Sequence, residues 1–198
     1  MKPVSNRKAL RKLSAKIPTR PEIEAILDDL NKESDLAVAI TGTALAESAL
    51  ERLLQSKLHY RDAEFENQLF QNRGPLADFN GKILVAQAFG IVTSPIAEEL
   101  HSARAIRNVF AHSKIPLTFA HEAIEKEILA LRMGTAIRQH AMKAPFPVVP
   151  GLGIKSFTDG MTSRSWFLLT VRLLLIILDE LAESPLTADK AIAAVLGN

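Results

Sequence analysis

The residues of this chain best suited to chemistry are Arg107, Asn108 and His112, which lie close together in residues 107–112 (RNVFAH). A guanidinium can bind a phosphate through two parallel hydrogen bonds, and a neutral imidazole can accept a proton near neutral pH. The same side chains can instead form a buried polar cluster that holds helices together. The segment therefore predicts either a site that binds or cleaves a phosphodiester, or a structural cluster.

The composition indicates the kind of protein that carries this segment. A chain of 198 residues, 47% hydrophobic and 23% charged, is typical of one globular domain. Nine glycines and a single tyrosine, among many alanines and leucines, favour helix over sheet. The absence of cysteine excludes disulfides and thiolate metal sites, and we expect a cytoplasmic protein.

Apolar residues recur at helical spacing along almost the whole chain, so we predict a single all-α bundle of seven to eight helices. The helical domain covers residues 21–198, with a Pro/Gly linker at 143–157 and C-terminal helices at 158–196. The apolar run 166–178 is shorter than the roughly 20 residues that span a bilayer, and Arg172 interrupts it. We therefore expect no membrane segment.

Capping residues set the predicted boundaries around the chemical segment. Ser34 or Asp35 starts a long second helix, and residues 59–75 are polar and indicate a loop. Gly90 ends the next helix, and Ser94 with its following proline starts the helix that carries residues 107–112.

Basic residues are concentrated at the N-terminus, in an arm that we assign to residues 1–20. Seven of the 24 lysines and arginines lie there without an acid, which leaves 17 against 22 acidic residues in the remainder. The seven are Lys2, Arg7, Lys8, Arg11, Lys12, Lys16 and Arg20. Such an arm indicates an anionic partner such as DNA, or an amphipathic helix that packs on its own domain.

Two acids of the second helix require partners. Glu47 and Glu51 fall on an apolar side of a helix that is apolar nearly all round, and an unpaired buried carboxylate is very costly. The chain offers Arg104, Arg107 and His112 on another largely apolar helix. We therefore predict that these five side chains meet in a structural polar cluster.

Residues 82–101 have the spacing of a helix-turn-helix unit, with Gly90 at the turn and Ile91 and Ile96 as apolar contacts. Glu99 stands where an apolar contact is expected, and acids are poor neighbours for phosphate. The pattern is therefore a weak indication of direct DNA readout.

Three segments carry a resemblance to a known family. They are residues 33–35 (ESD), 74–79 (GPLADF) with 82–83 (KI), and 106–113 (IRNVFAHS). In this order they resemble the mannitol operon repressor family, over about residues 31–133. The resemblance implies an all-helical bacterial transcriptional regulator that is often oligomeric. The family pattern usually continues ESD with Arg-Gly, whereas this chain has Leu36-Ala37, which puts a polar role at position 36 in doubt.

The spacing Arg-Asn-x-x-x-His is also similar to that of HEPN-domain ribonucleases, small helical dimers that cut RNA without metal. By that resemblance His112 would take or position the 2′-hydroxyl proton, Arg107 would stabilise charge on the phosphate, and Asn108 would fix the backbone geometry. Arg107 and His112 are about 140° apart on an ideal helix. They converge only if the helix loosens near Ala111 or a second subunit contributes a copy.

These observations lead us to expect a non-enzymatic regulator that forms a homodimer and acts through protein contacts or through weak DNA binding by the arm. A metal-independent endoribonuclease or toxin, with RNA as its partner, is one alternative. A scaffold or antitoxin-like interaction module is another. We expect no cofactor and no metal, because the histidines lack the spacing of ligands.

Overall fold

The computed structural model describes residues 18–59, 62–71, 73–133 and 161–183. All regular structure in these ranges is helical, which confirms the predicted all-α bundle. The helices are α1 (Arg20–Leu30), α2 (Asp35–Lys57), α3 (Ala63–Phe70), α4 (Phe79–Ala88), α5 (Ser94–His112), α6 (Glu122–Ala130) and α7 (Ser163–Glu183). Residues 1–17 of the predicted arm, the linker at 143–157 and the tail after residue 183 lie outside the described residues.

Helix α2 is the centre of the bundle, because it is apolar on nearly every side and packs against both α5 and α7. A Cβ atom built on Gly42 would lie 3.4 Å from the ring of Phe167, so α7 approaches the backbone of α2 closely. On another side of α2, the Thr43 hydroxyl donates to the carbonyl of Ala103 in α5 at 3.2 Å.

The start of α2 is joined to two distant parts of the chain. Ser34 is its N-cap, because the Ser34 hydroxyl accepts a hydrogen bond from Ala37 N at 3.2 Å. The carboxylate of Asp35 instead accepts from the Arg164 guanidinium of α7 at 2.8 Å and from Phe119 N at 2.9 Å. Since Asp35 lies near Phe119 and Thr43 lies near Ala103, α2 and α5 are antiparallel.

Residues 63–70 form a helix where the sequence indicated only a polar loop, so that prediction was wrong for α3. The Asp62 carboxylate caps this helix by accepting from Glu64 N and Phe65 N at 3.0 and 3.1 Å. Phe70 at its end is buried and anchors it to the core. Although most residues of α3 are polar, burial of Phe70 and the cap at Asp62 order its two turns.

Helices α4 and α5 form a hairpin that places residues 107–112 at the far end of α5. Gly90 has φ = 64°, the left-handed conformation that favours glycine, at the turn where the sequence predicted it. Helix α5 then continues without interruption from Ser94 to His112.

Helix α7 closes the core through an almost unbroken run of buried aliphatic side chains. Arg172, which interrupts the run in the sequence, lies at its edge and donates to the Asp28 carboxylate of α1 at 3.2 Å. In the described part of the chain, no helix has the length and apolarity needed to cross a membrane.

Candidate functional site

A buried lysine neutralises the two acids of α2. The Lys82 ammonium of α4 lies 2.7 Å from Glu47 Oε1 and 2.9 Å from Glu51 Oε2. The Lys82 side chain is 4% exposed, and those of Glu47 and Glu51 are 24% and 15% exposed. Because α4 packs against both α2 and α5, this ion cluster holds the hairpin onto the central helix.

The predicted structural cluster is therefore corrected in its membership. A cation from a separate helix neutralises both acids, as expected, but that cation is Lys82 rather than Arg104, Arg107 or His112. Within the described ranges these three residues form no salt bridge with Glu47 or Glu51. Position explains the difference, because Lys82 lies over the second half of α2, where both acids are found. Helix α5 contacts α2 at Ala103, whose carbonyl accepts a hydrogen bond from Thr43.

The surroundings of Lys82 keep its ammonium charged. Burial lowers the pKa of Lys82, but the hydrogen bonds and the negative charges of Glu47 and Glu51 outweigh burial, and the pKa lies above its ordinary value of 10.5. A group whose pKa is raised by folding contributes stability that is fully present below its unfolded pKa. The contribution of Lys82 is therefore complete at neutral pH and is lost only as the pH rises through its folded value.

The residues of the chemical segment lie side by side on α5 and remain accessible. Arg107 and Asn108 are half-buried, and Arg107 Nη1 donates to Asn108 Oδ1 at 2.9 Å. Arg104, one turn earlier, is also half-buried, and His112 is exposed in the last turn. Because α5 does not loosen at Ala111, Arg107 and His112 do not converge within one chain by unwinding of the helix.

His101 extends this polar edge of α5 by one more turn. Burial lowers the pKa of the His101 imidazole below its ordinary value, and the positive charge of Arg104 lowers it further. Arg104 is therefore close enough to His101 for its positive charge to act on the imidazole.

Glu99 has a structural role that sequence reasoning missed. It is 1% exposed, and its Oε1 accepts hydrogen bonds from the backbone N–H groups of Arg132 and Met133, the latter at 3.0 Å. Its Oε2 is buried and receives no hydrogen bond from the described residues. Burial raises the pKa of Glu99, although these backbone bonds and the charge of Arg132 oppose the rise. Its one signal in the sequence is an acid at an apolar position of α5.

The hairpin of α4 and α5 packs into the core through Ile96 and Leu100, which are fully buried. Burial of Ile96 agrees with its predicted place as an apolar contact of the hairpin. The exposed side of α5 carries Glu98, and an acid is a poor neighbour for phosphate.

An apolar recess of about 210 Å³ lies between α5 and α6. Ile106, Val109, Leu117, Ala123 and Ile124 form most of its wall. Val109 is 49% exposed beside it, so the recess opens to the surface.

No group of three or more histidine or acidic side chains suited to a metal ion occurs among the residues whose positions are described. Comparisons of this chain with protein-family models, with curated proteins and with solved structures gave no match.

Replacing Lys82 with methionine leaves two carboxylates in a mostly buried position without their cation. We expect the free energy of unfolding in urea to fall by about 3 kcal/mol, as is typical when one partner of a buried ion pair is removed. Adding Glu47→Gln and Glu51→Gln to Lys82→Met should restore most of the loss. The control is Lys126→Met, which removes an exposed pair with Glu122 and should cost less than about 0.5 kcal/mol. A loss for Lys82→Met no larger than that of the control would contradict this account.

The buried Glu99 carboxylate predicts a pH-dependent difference between wild type and Glu99→Gln. Because folding raises the pKa of Glu99 above its ordinary 4.5, the native state binds more protons and stability falls as the pH rises through the folded value. Urea unfolding from pH 4 to 7 should show wild type losing stability relative to Glu99→Gln, by at most about 1.4 kcal/mol per pH unit. Glu98 is kept in both proteins, because its charge contributes to the rise in the pKa of Glu99. Parallel curves for wild type and Glu99→Gln would argue against a buried proton at this position.

Proposed function

We propose that the protein is a non-enzymatic regulator of the mannitol operon repressor type that acts by contacting another macromolecule through α5. The proposal draws on the three segments that resemble that family. The observation that carries it is that Arg104 and Arg107, both half-buried on α5, make no salt bridge with any described residue. Two half-buried guanidinium groups without an acid are suited to meet a negatively charged partner.

Protein contact is favoured over direct DNA readout through the hairpin. The exposed side of α5 in the hairpin carries the acid Glu98, which would repel the phosphates of DNA. The surface between α5 and α6 instead offers an apolar recess beside exposed Val109, a common feature of protein-binding surfaces. The basic arm provides a separate route to DNA.

A second candidate is metal-independent RNA cleavage by Arg107, Asn108 and His112, as the HEPN resemblance implies. It is favoured by one specific observation: the core does not use these side chains, since Lys82 occupies the position predicted for them. Because Arg107 and His112 diverge on a continuous helix, this activity would require a second copy of the chain.

If the protein is a regulator, cells that lack its gene should show a limited set of altered transcripts. Expression of wild type or of His112→Ala should restore them, because regulation by contact does not require a general base. Arg104→Glu combined with Arg107→Glu should not restore them. A chain that lacks residues 1–17 tests the route through the arm, and it retains Pro18, whose carbonyl accepts a hydrogen bond from Arg52 at 3.1 Å. An unchanged transcript profile in the deletion strain would overturn the proposal.

If the protein is a ribonuclease, it should cleave RNA in the presence of EDTA. Arg107→Ala and His112→Ala should each abolish this cleavage. If each site combines Arg107 of one subunit with His112 of the other, mixing the two inactive variants should restore activity. The restored rate should be about a quarter of the wild-type rate at most, because only mixed dimers hold one complete site. Folded wild-type protein that cleaves none of a panel of RNAs would eliminate this candidate.

A further inference from the structure

Among the described residues, another helix occupies the groove between α2 and α5 over only part of its length. Helix α4 packs against both walls, and Lys82 fixes it beside Glu47 and Glu51 in the second half of α2. With 10 residues α4 is about 15 Å long, whereas α5 with 19 residues is about 28 Å long. Roughly one half of the groove therefore extends beyond the N-terminal end of α4.

Helix directions show which residues line that remaining half. Thr43 is level with Ala103, and α2 runs antiparallel to α5. The first three turns of α2 therefore lie beside the last three turns of α5, where Arg104 and Arg107 are found. We call this stretch the open groove, and it consists of Leu36, Ile40 and Ala44 on α2 and Arg104, Arg107 and Ala111 on α5.

The α5 wall of the open groove continues the stripe that α4 covers. Ala97, Leu100, Arg104, Arg107 and Ala111 follow at spacings of three and four residues, which places them along one side of α5. Ala97 and Leu100 are buried, Arg104 and Arg107 are half-buried, and Ala111 is exposed. Burial thus decreases along one stripe in the direction that leads away from α4.

The α2 wall of the open groove is apolar and accessible. Leu36 is 50% exposed, Ala44 is exposed and Ile40 is half-buried. The open groove therefore presents apolar side chains on one wall and guanidinium groups on the other.

The guanidinium groups are not neutralised from within the described structure. Glu47 and Glu51, on the same side of α2, are already paired with Lys82. The hydrogen bond from Arg107 goes to the neutral amide of Asn108, which orients the guanidinium without cancelling its charge. The charges of the open groove are thus opposite to those of the covered half. In the covered half the wall on α2 is acidic, and α4 supplies the cation.

We propose that the open groove binds an acidic amphipathic helix of a partner protein, which continues the line of α4. The inference rests on the proposed function and names the chemistry of the regulator's partner. Two acids three or four residues apart would meet Arg104 and Arg107, which are one turn apart, and an apolar stripe would cover Leu36 and Ile40. The fold already accepts a helix in the other half of the same groove.

Two other occupants fit the open groove less well. Single-stranded nucleic acid would neutralise the arginines, but its bases stack on aromatic rings, and the open groove contains none. A second copy related by two-fold symmetry would bring the same unpaired arginines to both sides of the interface. Charge complementarity therefore selects an acidic partner with an apolar face.

The experiment measures fluorescence anisotropy of two labelled synthetic helices with the full chain. The first helix carries two glutamates three residues apart beside a stripe of leucines, and the second carries lysines in place of the glutamates. Wild type should bind the acidic helix about tenfold more tightly than the basic one. Arg104→Glu combined with Arg107→Glu should reverse that preference, and Leu36→Asp should weaken binding of both helices. Arg73→Glu, at an exposed arginine outside the open groove, is the matched control and should change neither affinity.

Reversal of preference separates the proposal from simple damage to the fold, because a misfolded variant would not gain affinity for the basic helix. Equal binding of the two helices by wild type would overturn the proposal, as would a preference that survives reversal of both arginines. Displacement of the acidic helix by a thymidine oligonucleotide, through binding that requires Arg104 and Arg107, would overturn it in favour of nucleic acid. If the transcripts depend on the chain but the helix preference is absent, the open groove assignment fails and the proposed regulator stands. Helix binding without any change in transcripts would remove the regulator itself.

Discussion

The ammonium group of Lys82 between two carboxylates is the interaction on which the arrangement of this bundle depends. The three charged groups can be buried only together, because each alone would carry an uncompensated desolvation cost. The requirement fixes the position of α4 along α2, and with it the level at which α4 ends. The open groove between α2 and α5 begins where α4 ends, so its position follows from the pairing of Lys82 with Glu47 and Glu51. The same pairing leaves Arg104 and Arg107 without the acids that the central helix could have offered them.

Periodicity was sufficient to predict the helical class and most boundaries, because each depends on residues close together in the sequence. Gly90 at a positive φ and Pro95 in the first turn of α5 are local signals of this kind. Helix α3 was missed since its ordering depends on burial of Phe70 against distant residues. Neighbouring residues likewise could not decide whether Ser34 or Asp35 caps α2, because the Asp35 side chain is bound by Arg164, 129 residues away.

The candidate site was predictable in its chemistry but not in its partners. Sequence reasoning required a cation for Glu47 and Glu51, and it looked for arginine and histidine on the helix that already contained a motif. Lys82 was overlooked because a single lysine in an apolar stretch is usually placed at the surface, and only the tertiary packing of α4 on α2 buries it. Burial of Glu99 was hidden for the same reason: its donors are backbone groups, which leave no trace in the sequence. Pairings between helices are set by tertiary geometry, and no spacing rule within one helix can specify them.

The junction of Asp35 with Arg164 also bears on how the chain is made. At a synthesis rate of 5–20 residues per second, Arg164 follows Asp35 out of the ribosome on the order of ten seconds later. Throughout that interval the side of α2 around Gly42 lacks Phe167, which contacts it in the folded chain. The apolar side of α2 therefore lacks this cover until α7, the last described helix, has been synthesised. This surface is a long-lived target for chaperones during translation.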